Sequence, residues 1–129
     1  MMTRFLLDTT FIIDVLNNQR KRDAVMRELI ANQHELTCFA INVTEIYHGL
    51  RENERNRTEA LLRSLELVPI SFEAGRLAGE LLQAGKRNGK TYSVPDMIIA
   101  AVCITEDLTL ITDNKKDFRM PQMKLHTLK

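Results

Sequence analysis

The sequence has few of the cysteines on which a disulfide-rich protein or a structural metal site depends. It contains no tryptophan and only two cysteines in 129 residues, Cys38 in LTCFAI and Cys103 in AAVCIT. Two distant cysteines in apolar segments form neither a disulfide framework nor a metal-ligand pair. We therefore expect both to be reduced core residues of a cytosolic protein.

Long apolar runs and an excess of one charge are also missing. No apolar run approaches the roughly 18 residues that a membrane span needs, and Asp8 interrupts the apolar N-terminal stretch too early for a signal peptide. Lysine and arginine number 18 against 17 aspartates and glutamates, so the net charge is +1. Any contact with nucleic acid must then come from a local patch. We expect a soluble, cytoplasmic protein of one domain, residues 1–129, long enough to bury a core.

Glycine and proline are sparse as well. Five glycines and three prolines, scattered along the chain, make neither a linker nor a glycine-rich phosphate loop. The chain instead alternates short apolar segments with helical patterns, which predicts an α/β fold with a parallel, helix-covered sheet. The predicted strands are residues 4–8, 35–40, 67–70, 108–112 and 124–128.

Three carboxylates stand where a predicted strand ends or a predicted helix begins: Asp8, Glu45 and Asp96. Each can be explained by helix capping, with Asp8 as a cap, Asn42 and Glu45 as a capping box in NVTE, and Ser93 and Asp96 as another in SVPD. The carboxyl ends of parallel strands also share one edge, where the three can converge. Converging anions need a cation or raised pKa values, and hard oxygen ligands suit Mg²⁺ or Mn²⁺. The combination favours a metal site.

A fourth acidic segment, LITDNKKDF, follows the strand predicted at 108–112. Asp113 and Asp117 share a face if this segment turns helically, and either can approach an ion. The neighbouring Phe118 favours Asp117 as the inward residue, and we expect Asp113 to cap the turn or to hold Lys116.

Further polar residues lie beside these acids. Thr9 and Thr10 either hold Asp8 or a metal-bound water through their hydroxyls, or form the turn before the helix. Basic runs, GKRNGK and NKK, adjoin the acidic segments; such runs are often solvated helix ends, but they can also position a polyphosphate substrate. The candidate backbone-phosphate contacts are Lys86, Arg87, Lys90, Lys115 and Lys116.

Four segments in this order, LLDTTFIID, NVTEIYHGL, VPDMIIAA and LITDNKKDF, make the chain similar to the PIN-domain ribonucleases, specifically the toxin of a VapBC toxin–antitoxin pair. The resemblance covers essentially the whole chain. It implies a parallel sheet of about four to five strands with helices on both faces, and Mg²⁺- or Mn²⁺-dependent hydrolysis of RNA. The family's acids carry over by motif to Asp8, Glu45 and Asp96. Its fourth acid is placed variously, and the two matching positions here hold Asn114 and Asp117.

The expected mechanism is metal-assisted phosphodiester hydrolysis. Asp8 and Asp96 are expected to bind the metal directly, with Glu45 and Asp117 as further direct or water-mediated ligands, and Asp113 and Asn114 as substitutes for them. An aspartyl-phosphate enzyme also begins with an aspartate at a strand end, but it needs a second aspartate where this chain has Thr10. The sequence is also compatible with a catalytically silent PIN-like or receiver-like binding module, and with a housekeeping PIN ribonuclease that is not a toxin.

The resemblance also implies a small VapB-like antitoxin as partner and a homodimer. Apolar residues on the predicted helices of residues 10–32 and 42–66 can exceed what one small core buries, so we expect part of this surface to pair two copies. These residues are Phe11, Ile12, Val15, Leu16, Ile46 and Leu50.

Overall fold

Five short strands form one sheet in which every neighbouring pair is parallel. In the computed structural model, which describes residues 2–126 and 128, they are β1 (Arg4–Leu7), β2 (Glu35–Cys38), β3 (Glu66–Leu67), β4 (Thr109–Ile111) and β5 (Lys124–His126). Their spatial order is β3-β2-β1-β4-β5. The predicted parallel α/β fold is confirmed, with β3 at the edge. Residue 127, part of the strand predicted at 124–128, lies outside the described residues.

Helices cover both faces of this sheet. The α-helices of the described residues are α1 (Thr9–Leu16), α2 (Arg22–Ala31), α3 (Ala40–His48), α4 (Arg55–Ser64), α5 (Phe72–Arg87) and α6 (Val94–Thr105). Successive side chains of a strand point to opposite faces. Leu6 packs in the core beneath α5 and α6, whereas Phe5 and Leu7 pack in a second core against α1 to α4. Among residues 2–126 and 128, no helix is long and apolar enough to cross a membrane.

Both cysteines are buried free thiols, as the sequence predicts. Cys38 ends β2, and Cys103 lies in α6 in the core beneath the opposite face. Burial raises the pKa of the Cys103 thiol to about 12, and the negative charge of Asp8 adds to this increase.

Helix α3 begins three residues earlier than a cap at Asn42 implies, so the predicted role of Asn42 as its cap is wrong. The cap position is Phe39, and Asn42 lies at the third helical position. Its Oδ1 accepts the backbone N–H of Phe39 at 3.0 Å, which is the backward-reaching half of a capping box. Glu45 consequently lies in the second turn of the helix rather than in the first.

Half of the apolar side chains expected to pair two copies are buried inside one copy. Phe11 and Ile12 are each 1% exposed and Ile46 is 4% exposed, so the prediction that they are surplus to the core is wrong. The remaining three, which are half-buried, are Val15, Leu16 and Leu50.

Candidate active site

Asp8 directly follows β1 at the carboxyl edge of the sheet, and its predicted role as a helix cap is confirmed. Its Oδ1 accepts the backbone N–H of Thr9 at 2.8 Å, so the side chain caps α1. Its Oδ2 accepts a hydrogen bond from Thr112 Oγ1 at 2.7 Å. The Asp8 backbone N–H donates to the carbonyl of Ile111 at 3.0 Å, which fixes this residue to the end of β4. Capping therefore uses one carboxylate oxygen and leaves the other turned towards the neighbouring strand.

The charge on Asp8 is disfavoured by its surroundings. Burial raises the pKa of its carboxyl group above the ordinary value; hydrogen bonds from Thr112 and Thr9 lower it, and the negative charges of Asp96 and Glu45 raise it further. The structure thus brings two carboxylates from distant parts of the sequence within electrostatic range of Asp8. Such an arrangement favours the binding of a cation.

Glu45 is tied to this edge through a hydroxyl. Thr9 Oγ1 donates to Glu45 Oε1 at 2.6 Å, and Asn42 Nδ2 donates to the same Thr9 oxygen at 3.0 Å. Asn42 is completely buried, so its side chain holds the Thr9 hydroxyl in a fixed position. Thr9 therefore connects the first turn of α1 with α3, whereas Thr10 is exposed.

Asp96 lies in the first turn of α6 and is half-buried. The cap of this helix is Ser93, whose Oγ accepts the backbone N–H of Asp96 at 3.1 Å. Among the described residues, no hydrogen bond engages the Asp96 carboxylate. Ser93 performs the capping and the carboxylate remains available at the site.

The segment after β4 forms a 3₁₀ turn, Lys115–Phe118, that carries Asp117. Asn114 donates from its side-chain amide to Asp117 Oδ2. Phe118 is 1% exposed and anchors the turn in the core, as expected from its position in the sequence. Asp117 is half-buried beside this anchor.

Asp113 has partners that the sequence did not indicate. Its Oδ1 accepts from Arg22 Nη2 at 2.8 Å and its Oδ2 from Arg20 Nη2 at 2.7 Å. We expected it to cap the turn or hold Lys116, but the structure pairs it with these two arginines. Because both of its oxygens are paired with arginine cations, which already balance its charge, the arrangement favours Asp117 over Asp113 as the fourth acid.

Sequence reasoning missed Thr112 altogether, and it named Asn42 only as a helix cap and not as a residue that organises the site. Thr112 is completely buried, and its hydroxyl donates to Asp8 while accepting the backbone N–H of Asn114 at 3.0 Å. Only the register of β1 against β4, in which Leu7 pairs with Ile111, places Thr112 beside Asp8. A threonine at a strand end carries no such information on its own.

A divalent cation fits the chemistry of these side chains. In residues 2–126 and 128, no three histidine, cysteine, aspartate or glutamate side chains are gathered closely enough to form a ready ligand group. The donors at this edge are nevertheless all carboxylate and hydroxyl oxygens, which suit a hard cation. Mg²⁺ usually keeps several waters and takes only one or two carboxylates directly. A spread set of acids around Asp8 fits that mode of binding.

The basic residues singled out by the sequence lie on the surface. Four of them are exposed and Lys115 is half-buried. Lys86 and Arg87 form the last turn of α5, where positive charge also favours the helix end. The exposed residues are Lys86, Arg87, Lys90 and Lys116.

Comparison with known proteins finds the same family over nearly the whole chain. The profile of the PIN domain matches residues 5–121. The chain is 28% identical over 115 residues to Ribonuclease VapC19 of Mycobacterium tuberculosis, an alignment that covers 89% of this chain and 92% of that protein.

Two solved structures share the fold. One is a Rickettsia felis VapBC2 complex bound to a DNA fragment from its promoter (TM-score 0.85, 24% identity, 98% of this chain and 100% of that chain). The other is a toxin–antitoxin complex from Klebsiella pneumoniae (TM-score 0.76, 27% identity, 95% and 96%). The five-stranded parallel sheet and its helices on both faces are therefore an architecture already seen in proteins of this kind.

Proposed function

Because the chain belongs to the PIN domain family, we propose that it is an endoribonuclease that hydrolyses phosphodiester bonds in RNA and acts as the toxin of a toxin–antitoxin pair in the cytoplasm. The observation that carries this proposal is the placement of three carboxylates at the carboxyl edge of the sheet: the half-buried Asp8 after β1, Glu45 hydrogen-bonded to the neighbouring Thr9, and Asp96 in the first turn of α6. The relative named as a ribonuclease supports the chemistry.

We assign the metal to this edge. Asp8 and Asp96 would hold a Mg²⁺ or Mn²⁺ ion directly, and Glu45 and Asp117 would contribute directly or through water. When bound, the ion supplies the positive charge that activates a water molecule and stabilises the leaving oxygen.

The protein's own contribution is the orientation of these acids. The hydroxyl of Thr112 and the backbone N–H of Thr9 fix the two oxygens of Asp8 in place. Asn42 holds Thr9, which in turn holds Glu45. Such supporting hydrogen bonds restrict the rotation of the ligands and are worth about 10- to 100-fold in metal affinity or activity in metal sites generally.

The proposed protein partner is a small antitoxin, in a complex that contains two copies of this chain. The toxin–antitoxin complex with the same fold supports this assignment. A shallow groove beside Glu45, between α1 and the region that follows α3, offers apolar surface for a segment of the antitoxin. It is lined in part by Ile13, Leu16 and Leu50.

The test is cleavage of labelled single-stranded RNA by the purified protein with Mn²⁺ or with EDTA. We expect cleavage with Mn²⁺, none with EDTA, and none by Asp8→Asn. The matched control is Asp107→Asn, because Asp107 lies on the surface with an 80% exposed side chain and its positive φ of 55° suits asparagine equally well. Binding of RNA without cleavage under every metal would instead indicate a silent binding module.

The toxin role is tested separately. Expression of the chain alone should arrest growth, and co-expression of a small protein from the neighbouring reading frame should restore it. Growth arrest that Asp8→Asn also produces would show that toxicity does not come from the nuclease site.

A further inference from the structure

A cavity of about 260 Å³ opens between the C-terminal end of α5 and the residues that follow the 3₁₀ turn. Its walls combine an aromatic ring, two amide side chains, two cationic side chains and aliphatic surface, and none of the described lining residues is acidic. The residues that matter for its chemistry are Gly85, Asn88, Lys90, Tyr92, Arg119 and Gln122.

The first wall of this cavity is built by the way α5 ends. Gly89 adopts a left-handed backbone with φ of 70°. Its N–H donates to the carbonyl of Lys86 at 3.1 Å, and the N–H of Lys90 donates to the carbonyl of Gly85 at 2.7 Å. This pair of bonds is a Schellman motif, which glycine favours. The wall is thus preformed rather than dependent on a ligand.

The ring of Tyr92 lies directly against the backbone of α5. A Cβ atom added to Gly85 would stand 2.6 Å from Tyr92 Cδ2 and 2.8 Å from Cε2. The ring therefore keeps its position only because residue 85 has no side chain. On the same helix, a Cβ added to Gly79 would meet nothing within 4 Å.

The two sides of the cavity, Tyr92 after α5 and Arg119 after the 3₁₀ turn, adjoin the acids of the catalytic edge in sequence. Tyr92 precedes Asp96 by four residues, and Arg119 follows Asp117 by two. Helix α6, which begins between Tyr92 and Asp96, packs against the 3₁₀ turn that carries Asp117. A nucleic acid strand at the carboxylates would pass the mouth of this cavity.

We propose that the cavity binds one unpaired base of the RNA strand, next to the phosphate that is cut; this proposal rests on the ribonuclease function proposed above. Proteins that read single-stranded RNA stack bases on aromatic rings and bond their edges with polar side chains. Tyr92 provides the ring, and the amides of Asn88 and Gln122 provide donors and acceptors for the base edge. Lys90 and Arg119 provide positive charge for the adjoining phosphates.

The size of the cavity agrees with a single base. Pockets for drug-sized molecules enclose roughly 300 to 1,000 Å³, so about 260 Å³ holds one ring system and not a longer segment. The absence of acidic side chains from the described lining also favours a polyanion. This subsite accounts for the GKRNGK segment, whose Gly85, Asn88, Gly89 and Lys90 build or line it.

The experiment compares two alanine substitutions on one helix, Gly85→Ala and Gly79→Ala. Binding of a short fluorescein-labelled single-stranded RNA is measured by anisotropy in EDTA, where no cleavage occurs. We expect Gly85→Ala to weaken binding about tenfold, the order of one lost stacked base, and Gly79→Ala to bind like the wild type. Gln122→Ala, at an exposed position, provides a second variant if Gly85→Ala fails to fold.

A second readout identifies the base. The wild type and Gln122→Ala are allowed to cut a pool of random-sequence RNA with Mn²⁺, and the cut ends are sequenced. We expect the wild type to prefer particular bases at one position beside the cut, and the variant to lose that preference alone.

Equal RNA affinity and equal base preference in wild type and variants, with cleavage intact, would overturn the subsite and leave the ribonuclease function standing. A wild type that neither binds nor cuts RNA would overturn both. A defect confined to binding of a protein partner would show that the cavity belongs to an antitoxin segment instead.

Discussion

Thr112→Val should cost more stability than the loss of an ordinary buried hydrogen bond, because the hydroxyl of Thr112 donates to a charged group at the active site. Thr112 and Thr37 are both completely buried, and each donates one short hydrogen bond. Thr112 Oγ1 reaches the carboxylate of Asp8 at 2.7 Å, and Thr37 Oγ1 reaches the neutral carbonyl of Phe5 at 2.8 Å. Valine keeps the shape of threonine and removes only the hydroxyl, so Thr37→Val is the matched control.

The expected magnitudes differ because the acceptors differ. A hydrogen bond to a neutral group contributes about 1 kcal/mol, and one to a charged group about 1.5 to 3 kcal/mol. Thr112→Val also removes the acceptor of the Asn114 N–H, while water can reach the half-buried Asp8 and recover part of the loss. We expect Thr112→Val to lower the free energy of unfolding by about 2 kcal/mol and Thr37→Val by about 1 kcal/mol.

The loss of stability caused by Thr112→Val should depend on pH. The bond from Thr112 lowers the pKa of Asp8, so it stabilises the ionised form, and its removal raises that pKa further above the unfolded value. The stability lost in Thr112→Val is therefore greatest at neutral pH and shrinks as pH falls through the pKa of Asp8. Urea unfolding in EDTA at neutral and at acid pH measures this, and the Thr37→Val difference should stay constant.

RNA cleavage provides the second measurement. Thr112→Val should reduce the rate about 10- to 100-fold, as supporting residues of metal sites do, and Thr37→Val should leave it unchanged. Equal losses of stability in the two variants at both pH values, together with unchanged cleavage, would refute the idea that Thr112 orients Asp8.

Three further predictions concern single residues. Asp96→Asn should abolish cleavage while the thermal midpoint stays constant or rises, because the amide relieves charge repulsion; a folded variant with full activity would remove Asp96 from the site. Asp117→Ala should weaken Mn²⁺ binding more than Asp113→Ala in parallel titrations, whereas Asp113→Ala, at an exposed position, should lower the free energy of unfolding by about 1 kcal/mol, because Arg20 keeps its ion pair with Asp14. The opposite order of Mn²⁺ affinities would identify Asp113, and not Asp117, as the fourth acid. Cys38 and Cys103 should react with a thiol reagent at pH 8 only after unfolding, since burial raises the pKa of both thiols; rapid labelling of the native protein would contradict this.

The sheet and its helices could be predicted because short apolar segments alternate with local helical patterns along most of the chain. The start of α3 could not, since Asn42 carries the chemistry of a cap but acts from the third helical position, reaching back to Phe39. The acids could be located by motif, but their supports could not. Thr112 reaches Asp8 across 104 positions of sequence through strand register alone. The arginines on Asp113, one before α2 and one at its first position, lie more than 90 positions away.

The place of β4 in the sheet has a consequence for the chain during its synthesis. This strand lies beside β1 in the middle of the sheet but is fourth in sequence, and it starts at Thr109. When the first hundred residues have been synthesised, Asp8 and Asp96 are present. The side of β1 that pairs with β4 in the folded sheet still has no partner strand. Contacts between such distant segments form slowly and late in folding. The nuclease site therefore cannot assemble on a nascent chain until β4 has left the ribosomal tunnel.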